Sequence, residues 1–325
     1  MENLKGVKKE YGGYLEFGDM RGSEYYTGMY KLNLARTSLI WLLSHIPHNR
    51  VFLPLFICDT VNETAEAAGY RLVSYRMDEN LRPVWGEKGA PEEDDIFYLV
   101  NYNGLLTEAD IVRYRETFNT VIVDNAQAFF SEPIAGVHTI YSLRKFIGVT
   151  DGAYVASDIE GTTDSLPMDK STERAKYLVG RLEGFANDYY AESKSAEVGY
   201  SGETPKQMSR FTQMILKGTD YEYIKNKRRE NYAALNALLK SDNPFTKATP
   251  ECPYLYPYYH EDGMSLRKYL VENKIYVPTL WDFLLDEKYE GTLEYEWASN
   301  ITWLPIDQRY DESDMQSIAD VVRNY

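Results

Sequence analysis

The chain has 325 residues, 44% hydrophobic and 26% charged, which excludes a disordered or fibrous chain and suits two domains or one large one. Its 35 Lys and Arg stand against 50 Asp and Glu, a formal net charge of −15. That excludes a dedicated nucleic-acid binder, because neutralising phosphates needs a basic face, and leaves room only for a local basic pocket. The two cysteines, Cys58 and Cys252, form no disulfide framework, as in a reducing compartment. The lysine-bearing start has no apolar stretch behind it, so no secretory leader is expected. The most apolar run, Val51–Cys58, falls far short of the ~20 residues of a membrane helix. A cytoplasmic protein without a membrane or nucleic-acid partner is expected. The 29 tyrosines, several in pairs, suit amphipathic packing and interface surface.

In chain order, Thr37 and Ser38 ahead of Leu39-Ile40-Trp41-Leu42-Leu43 read as an N-cap and a helix start. Arg50-Val51-Phe52-Leu53, stopped by Pro54, reads as a buried strand. A helix over 60–69 ends at Gly69, and a strand covers 71–75. The run Asp95–Val100 is a strand leading into Asn101-Tyr102-Asn103-Gly104. Residues 106–118 read as helix, and Thr120-Val121-Ile122-Val123 as a strand whose last step is Asp124. Strands over 139–141 and 152–156 close the series. Continuous apolar strands alternating with helices predict a mostly parallel sheet covered on both faces. Residues 157–205 are polar and helical with weak turn signals, and 206–240 read as a long helix pair. The remainder mixes short strands (254–259 and 275–277) with helices over 265–273 and from Glu312, as in a smaller α+β domain.

No G-x-G-x-x-G, G-x-x-x-x-G-K-[ST], C-x-x-C or H-E-x-x-H is present. The four histidines have no metal-ligand spacing, so no metal is expected. The informative stretch is 121–154. Asp124 ends an apolar strand, and ligands of open parallel sheets bind at the carboxyl ends of strands. The plain alternative is that Asp124 caps a helix opening near Ala126. The next strand delivers Ser142 and Lys145. With neighbouring strands ~4.8 Å apart, Asp124 and Lys145 can reach the same small molecule. Alone, Lys145 would read as a surface lysine; the joint pattern Asp-x-x-Gln, then Ser-x-x-Lys, then Asp151-Gly152 is what singles it out.

Asp124-Asn125-Ala126-Gln127, Ser142-Leu143-Arg144-Lys145 and Thr150-Asp151-Gly152-Ala153 resemble the DegT/StrS-type aminotransferases, fold-type-I enzymes of pyridoxal phosphate (PLP), many of which act on nucleotide-linked keto sugars. Ala35-Arg36-Thr37-Ser38, Leu53–Cys58, Val100–Gly104 and Arg228-Arg229 with Asn231-Tyr232 follow in the family's order. The resemblance implies an α/β fold: a mostly parallel seven-stranded sheet flanked by helices, plus a smaller C-terminal α+β domain. It divides the chain into an N-terminal arm (1–30), a large PLP-binding domain (31–215) and a small domain (216–325).

It also implies roles. Lys145 would carry PLP as a Schiff base and shuttle a proton. Asp124 would pair with the ring nitrogen, and Gln127 with the ring 3-oxygen. Ser142 would touch the phosphate, with Arg36, Thr37 and Ser38 cradling it at a helix N-terminus. Phe56 or Cys58 would lie near the ring face, and Ser209 would reach the phosphate from the second subunit of a homodimer. Arg144, Arg210, Arg228 and Arg229 are candidates for a nucleotide diphosphate.

The sequence departs from the family at Arg36, at the apolar wording after Lys145, and at Asp151 and Ala153. The implied activity is transfer of an amino group from an amino acid, glutamate foremost, to a keto sugar in surface-polysaccharide or secondary-metabolite assembly. The alternatives are a same-fold PLP enzyme with another reaction such as dehydration, and a non-catalytic relative that binds a sugar or partner. A glycosyltransferase using Asp94-Asp95 is disfavoured, because that pair precedes a strand.

Overall fold

A computed structural model describes residues 11–18 and 20–325. The first ten residues, which carry the leader reading and the start of the 1–30 arm, lie outside the described residues. The elements run β1 (Tyr30–Leu32), α1 (Ala35–Leu43), β2 (Val51–Pro54), α2 (Asp59–Ala67), β3 (Leu72–Met77), β4 (Pro83–Val84), β5 (Ile96–Val100), α3 (Glu108–Thr117), β6 (Thr120–Asp124), β7 (His138–Ser142) and β8 (Ala153–Ala156). Then come α4 (Lys176–Glu183), α5 (Tyr190–Val198), α6 (Arg210–Lys217), α7 (Tyr221–Leu239), β9 (Tyr256–Tyr259), α8 (Gly263–Glu272), α9 (Leu293–Asn300), β10 (Ile301–Leu304) and α10 (Glu312–Arg323).

Among the described residues the main sheet has eight strands in the order β1-β8-β7-β6-β5-β2-β3-β4, one more than the seven expected. From β3 to β7 every neighbouring pair is parallel. Strands β8 and β4 run antiparallel to their neighbours, and β1 pairs antiparallel with β8. The two-residue β4 sits at one edge, where Met77 pairs with Pro83, and Pro is tolerated because an edge strand needs no full ladder.

Strands β2 and β5 are buried at every position, as the apolar runs predict for a sheet covered on both faces. The core around them also takes Phe245, Trp297, Ile301 and Trp303 from the C-terminal third. Strands β9 and β10 form a separate antiparallel pair, packed with α7, α8 and α10 around Tyr232, Leu266, Leu304 and Met315. The expected strand over 275–277 is absent: Ile275 to Val277 form no ladder and precede Pro278. The partner of β9 is Ile301–Leu304 instead.

Helix α1 also begins earlier than expected. Its N-cap is Leu34, with no side-chain cap. Thr37 and Ser38 lie inside the helix, their hydroxyls donating back to the Leu34 carbonyl at 3.0 and 2.8 Å, the alternative that small hydroxyl residues always have to capping. No described helix is long and apolar enough to cross a membrane.

Candidate active site

At the carboxyl ends of β5, β6 and β7, parallel register sets Val100 beside Asp124 and Asp124 beside Ile140. The chain leaves β7 through Ser142 and turns at once into Leu143–Lys145. A cavity of about 300 Å³ opens there, at the lower end of the ~300–1,000 Å³ of small-molecule sites. Of the expected residues, Lys145, Asp124, Gln127, Ser142, Arg36 and Cys58 line it.

The Asp124 carboxylate is buried. It accepts the Tyr98 hydroxyl at 2.9 Å and the Ala126 backbone N–H at 2.7 Å. The residues after it form turns, so this is a local side-chain-to-backbone turn and not the cap of a helix. Burial raises the Asp124 pKa, and the Ala126 N–H, Lys145 and Tyr98 only partly oppose that. The Lys145 amine stands 5.3 Å from the centre of the Tyr254 ring. Its backbone carbonyl is held by Arg228 Nη2 at 3.3 Å.

Gln127 is oriented by its own carbonyl, which accepts the Asn103 N–H at 3.0 Å. Asn103 sits in the left-handed region at φ 53, a conformation Asn tolerates better than most residues. Its side chain in turn binds the backbone of Tyr254 and Leu255. The Gln127 amide NH₂ is thereby turned away from Asn103.

The N-terminus of α1 enters the cavity through Leu34, Ala35 and Arg36. With no side-chain cap and no acid in its first turn, this end presents unsatisfied N–H groups and the positive end of the helix dipole. Arg36 and Arg144 both reach Glu197 of α5, at 3.2 and 2.6 Å. Burial raises the Glu197 pKa, but Arg144 and then Arg36 outweigh it, so the carboxyl ends below the ordinary range.

Three expected residues, Thr37, Ser38 and Phe56, lie elsewhere, and Ser209, expected from the second subunit, stands apart from this cavity in its own chain. Thr37 and Ser38 are buried and turned into α1's own first turn. Phe56 is fully buried behind Trp281, edge-on at 4.3 Å between ring centres. Ser209 caps α6 and is held by Asp151 and Ser171. It borders a second, wider cavity of about 1170 Å³ with Phe17, Met168, Val179 and Arg210. Among the diphosphate candidates only Arg144 lines the first cavity. Arg228 serves backbone carbonyls, and Arg229 pairs with Glu251. Asp95, one of the disfavoured metal pair, accepts a two-pronged bond from Arg50 at 3.0 and 2.6 Å.

Sequence reasoning missed Tyr98, Glu197 and Trp281 as lining residues. A hydroxyl-bearing ring within the apolar strand Ile96–Val100 was the signal for Tyr98. Nothing local marks the other two.

No family model and no curated protein matches the sequence. Solved structures do match in fold. A DegT DnrJ EryC1 StrS aminotransferase from Brucella abortus is 16% identical, with TM-score 0.59 over 91% of this chain and 85% of that one. A sugar aminotransferase from Streptococcus pneumoniae in its PLP form is 13% identical, with TM-score 0.60 over 91% and 86%. DesI, solved in the presence of its TDP-sugar product, is 16% identical, with TM-score 0.61 over 91% and 80%. The chain has the fold of these fold-type-I structures.

Proposed function

We propose that this protein is a PLP-dependent aminotransferase that moves an amino group from an amino acid, glutamate foremost, to a nucleotide-linked keto sugar. The observation that carries this reading is the meeting of Lys145, Asp124 and the uncapped α1 N-terminus in one cavity at the carboxyl ends of parallel strands. The fold likeness to PLP-form and sugar-product structures supports it.

The residues fit the cofactor. Among the described residues the buried Asp124 carboxylate accepts only the Tyr98 hydroxyl and the Ala126 N–H, which leaves acceptor capacity for a donor such as a protonated ring nitrogen. The α1 terminus and Arg36 suit a phosphate. The bound group would act as an electron sink for the carbon that bears the amine.

Everything else falls to this chain's side chains. Lys145 would hold the cofactor through its amine and is the group placed to move the proton at the substrate carbon. Asp124 keeps the ring nitrogen protonated. Gln127 offers its NH₂ to the ring 3-oxygen, its carbonyl being fixed by Asn103. Ser142 adds a hydroxyl for the phosphate, while Cys58 and Trp281 wall the cavity. The two cysteines are unpaired, in keeping with work in the cytoplasm, and surface-polysaccharide or secondary-metabolite assembly would consume such a product.

The division of the chain into an arm (1–30), a PLP-binding domain (31–215) and a small domain (216–325) belongs to this reading. So does a homodimer. Phe17, Leu182, Phe185 and Val198 are largely exposed, and they call for a covering surface. Ser209 is committed to Asp151, so its exposed neighbour Arg210 is the residue we assign to the partner's phosphate. A monomer in light scattering at micromolar concentration, with PLP bound, would end the dimer reading.

The decisive test is chemical. The full chain incubated with pyridoxal phosphate and reduced with borohydride should carry the label on the peptide containing Lys145, and Lys145→Ala should carry none. A label on any other lysine, or none in the wild-type chain, overturns the assignment.

A further inference from the structure

Glu197 belongs to a segment that the sheet does not need. Within its own chain the helical arm around α5 is lightly held, with only Ala196 of the helix buried. Yet from this arm Glu197 places one carboxylate oxygen on each of two cavity arginines: Oε1 at 3.2 Å from Arg36 Nη2 and Oε2 at 2.6 Å from Arg144 Nη2. That is how a bridging ligand oxyanion would sit.

The two sides of this contact are unequal. The Arg36 and Arg144 side chains are only 14% and 22% exposed, whereas Glu197 is 48% exposed. Arg144 is braced over the Tyr200 ring at 4.3 Å, and its buried Nε has no hydrogen-bond partner among the described residues. Arg36 stands in the first turn of α1, beside the free N–H groups. The arginines are therefore the fixed half of the contact and the carboxylate the exchangeable half. Two guanidinium charges against one carboxylate leave a positive surplus at the lip, in a chain whose net charge is −15.

We infer that Arg36 and Arg144 form an oxyanion site which Glu197 fills as an internal stand-in, and that an incoming phosphate or carboxylate group takes its place and releases α5. Tyr200 is the pivot: just past the C-terminus of α5 it is fully buried, with its hydroxyl on the Thr150 carbonyl, so the end of α5 that carries Glu197 stays anchored while the carboxylate swings away and the N-terminal turns of the helix loosen. The inference rests on reading the cavity as the ligand site, but it needs no cofactor chemistry.

The test uses the full chain without cofactor. Inorganic phosphate and glutarate are titrated calorimetrically into wild type, Glu197→Gln and the double variant Glu197→Gln/Arg144→Gln. Removing the internal competitor should tighten oxyanion binding roughly fivefold, the worth of a half-exposed ion pair, and the double variant should lose that gain. A gain for phosphate alone identifies a phosphate ester as the natural occupant, and a gain for glutarate alone identifies a substrate carboxylate. Unchanged or weaker binding of both anions in Glu197→Gln overturns the site.

Hydrogen exchange on the wild-type chain gives a readout that needs no variant. Saturating phosphate should speed exchange of the α5 amides, and unchanged or slower exchange with phosphate bound overturns the displacement. Neither measurement involves Lys145, so failure of the borohydride test and failure of this one are separable.

Discussion

Asp124 and Asp151 are both buried carboxylates at strand boundaries, and their surroundings differ in kind. Asp151 is saturated. It accepts Ser209 N–H and Oγ at 2.7 and 2.6 Å, Thr212 Oγ1 at 2.6 Å, Thr150 Oγ1 at 3.1 Å and Ser171 Oγ at 3.2 Å. It ties the N-terminus of α6 to the entry of β8, where the adjoining Gly152, at φ 122, packs so closely that a Cβ would collide with Leu143 and crowd Thr212. Asp124 accepts two hydrogen bonds and faces a cavity that holds a lysine. A fully satisfied buried charge builds structure, whereas one left short of partners is available to a ligand. The same residue type, a few turns of chain apart, thus serves two ends, and the count of donors tells them apart.

That contrast can be broken by experiment. Asp151→Ala strands the two hydroxyls of Ser209 and Thr212 and the Ser209 N–H in the interior. It should cost more than ~4 kcal/mol, the range of lost buried networks, read as a collapse of the urea midpoint. A change under ~1 kcal/mol would mean that Asp151 is not a structural hub.

Asp124→Asn should leave the fold intact and act on rate and on stability in opposite directions. Loss of a charge-assisted bond to the ring nitrogen is worth ~1.5–3 kcal/mol. The half-reaction with glutamate should therefore slow by roughly 10- to 100-fold, and unchanged half-reaction kinetics would sink the ring-nitrogen role.

On the cofactor-free chain the smaller effect runs the other way. The folded pKa of Asp124 is raised by burial, so between its unfolded value and its folded one the native state binds more protons, and stability falls as pH climbs through that window. Asparagine carries no such penalty. The variant should therefore be more stable than wild type at pH 7 and no different at pH 3, below both values. A destabilised Asp124→Asn at pH 7 would make the two aspartates alike.

Much of this was legible before any coordinates. Strands β5 and β6 are runs so apolar that only burial on both faces suits them, and Asp124 and Lys145 stand where such runs end. What local pattern could not decide was which of two equivalent choices tertiary contact would take. Thr37 and Ser38 can cap a helix or bond back into it; they bond back because the helix is already under way at Ala35. Ile275-Tyr276-Val277 reads as a strand, yet it is Ile301–Leu304 that finds the edge of β9. Glu197 looks like any glutamate of a solvated helix until Arg36 and Arg144 are brought to it by the fold. Ser209 was singled out for the phosphate, and its hydroxyl is taken by Asp151, a contact between residues far apart in sequence.

Trp281 has a bearing on how the molecule is made. It walls the cavity, in the left-handed region at φ 62, and it lies far downstream of the lysine it faces. At ~5–20 residues per second of synthesis, it leaves the ribosome on the order of ten seconds after Lys145. During that interval the nascent chain already carries the lysine, the strand-end aspartate and the open end of α1, but lacks the indole that closes the cavity. The cavity thereby gains its last wall only once most of the polypeptide exists, and a chain truncated before Trp281 would carry Lys145 without that enclosure.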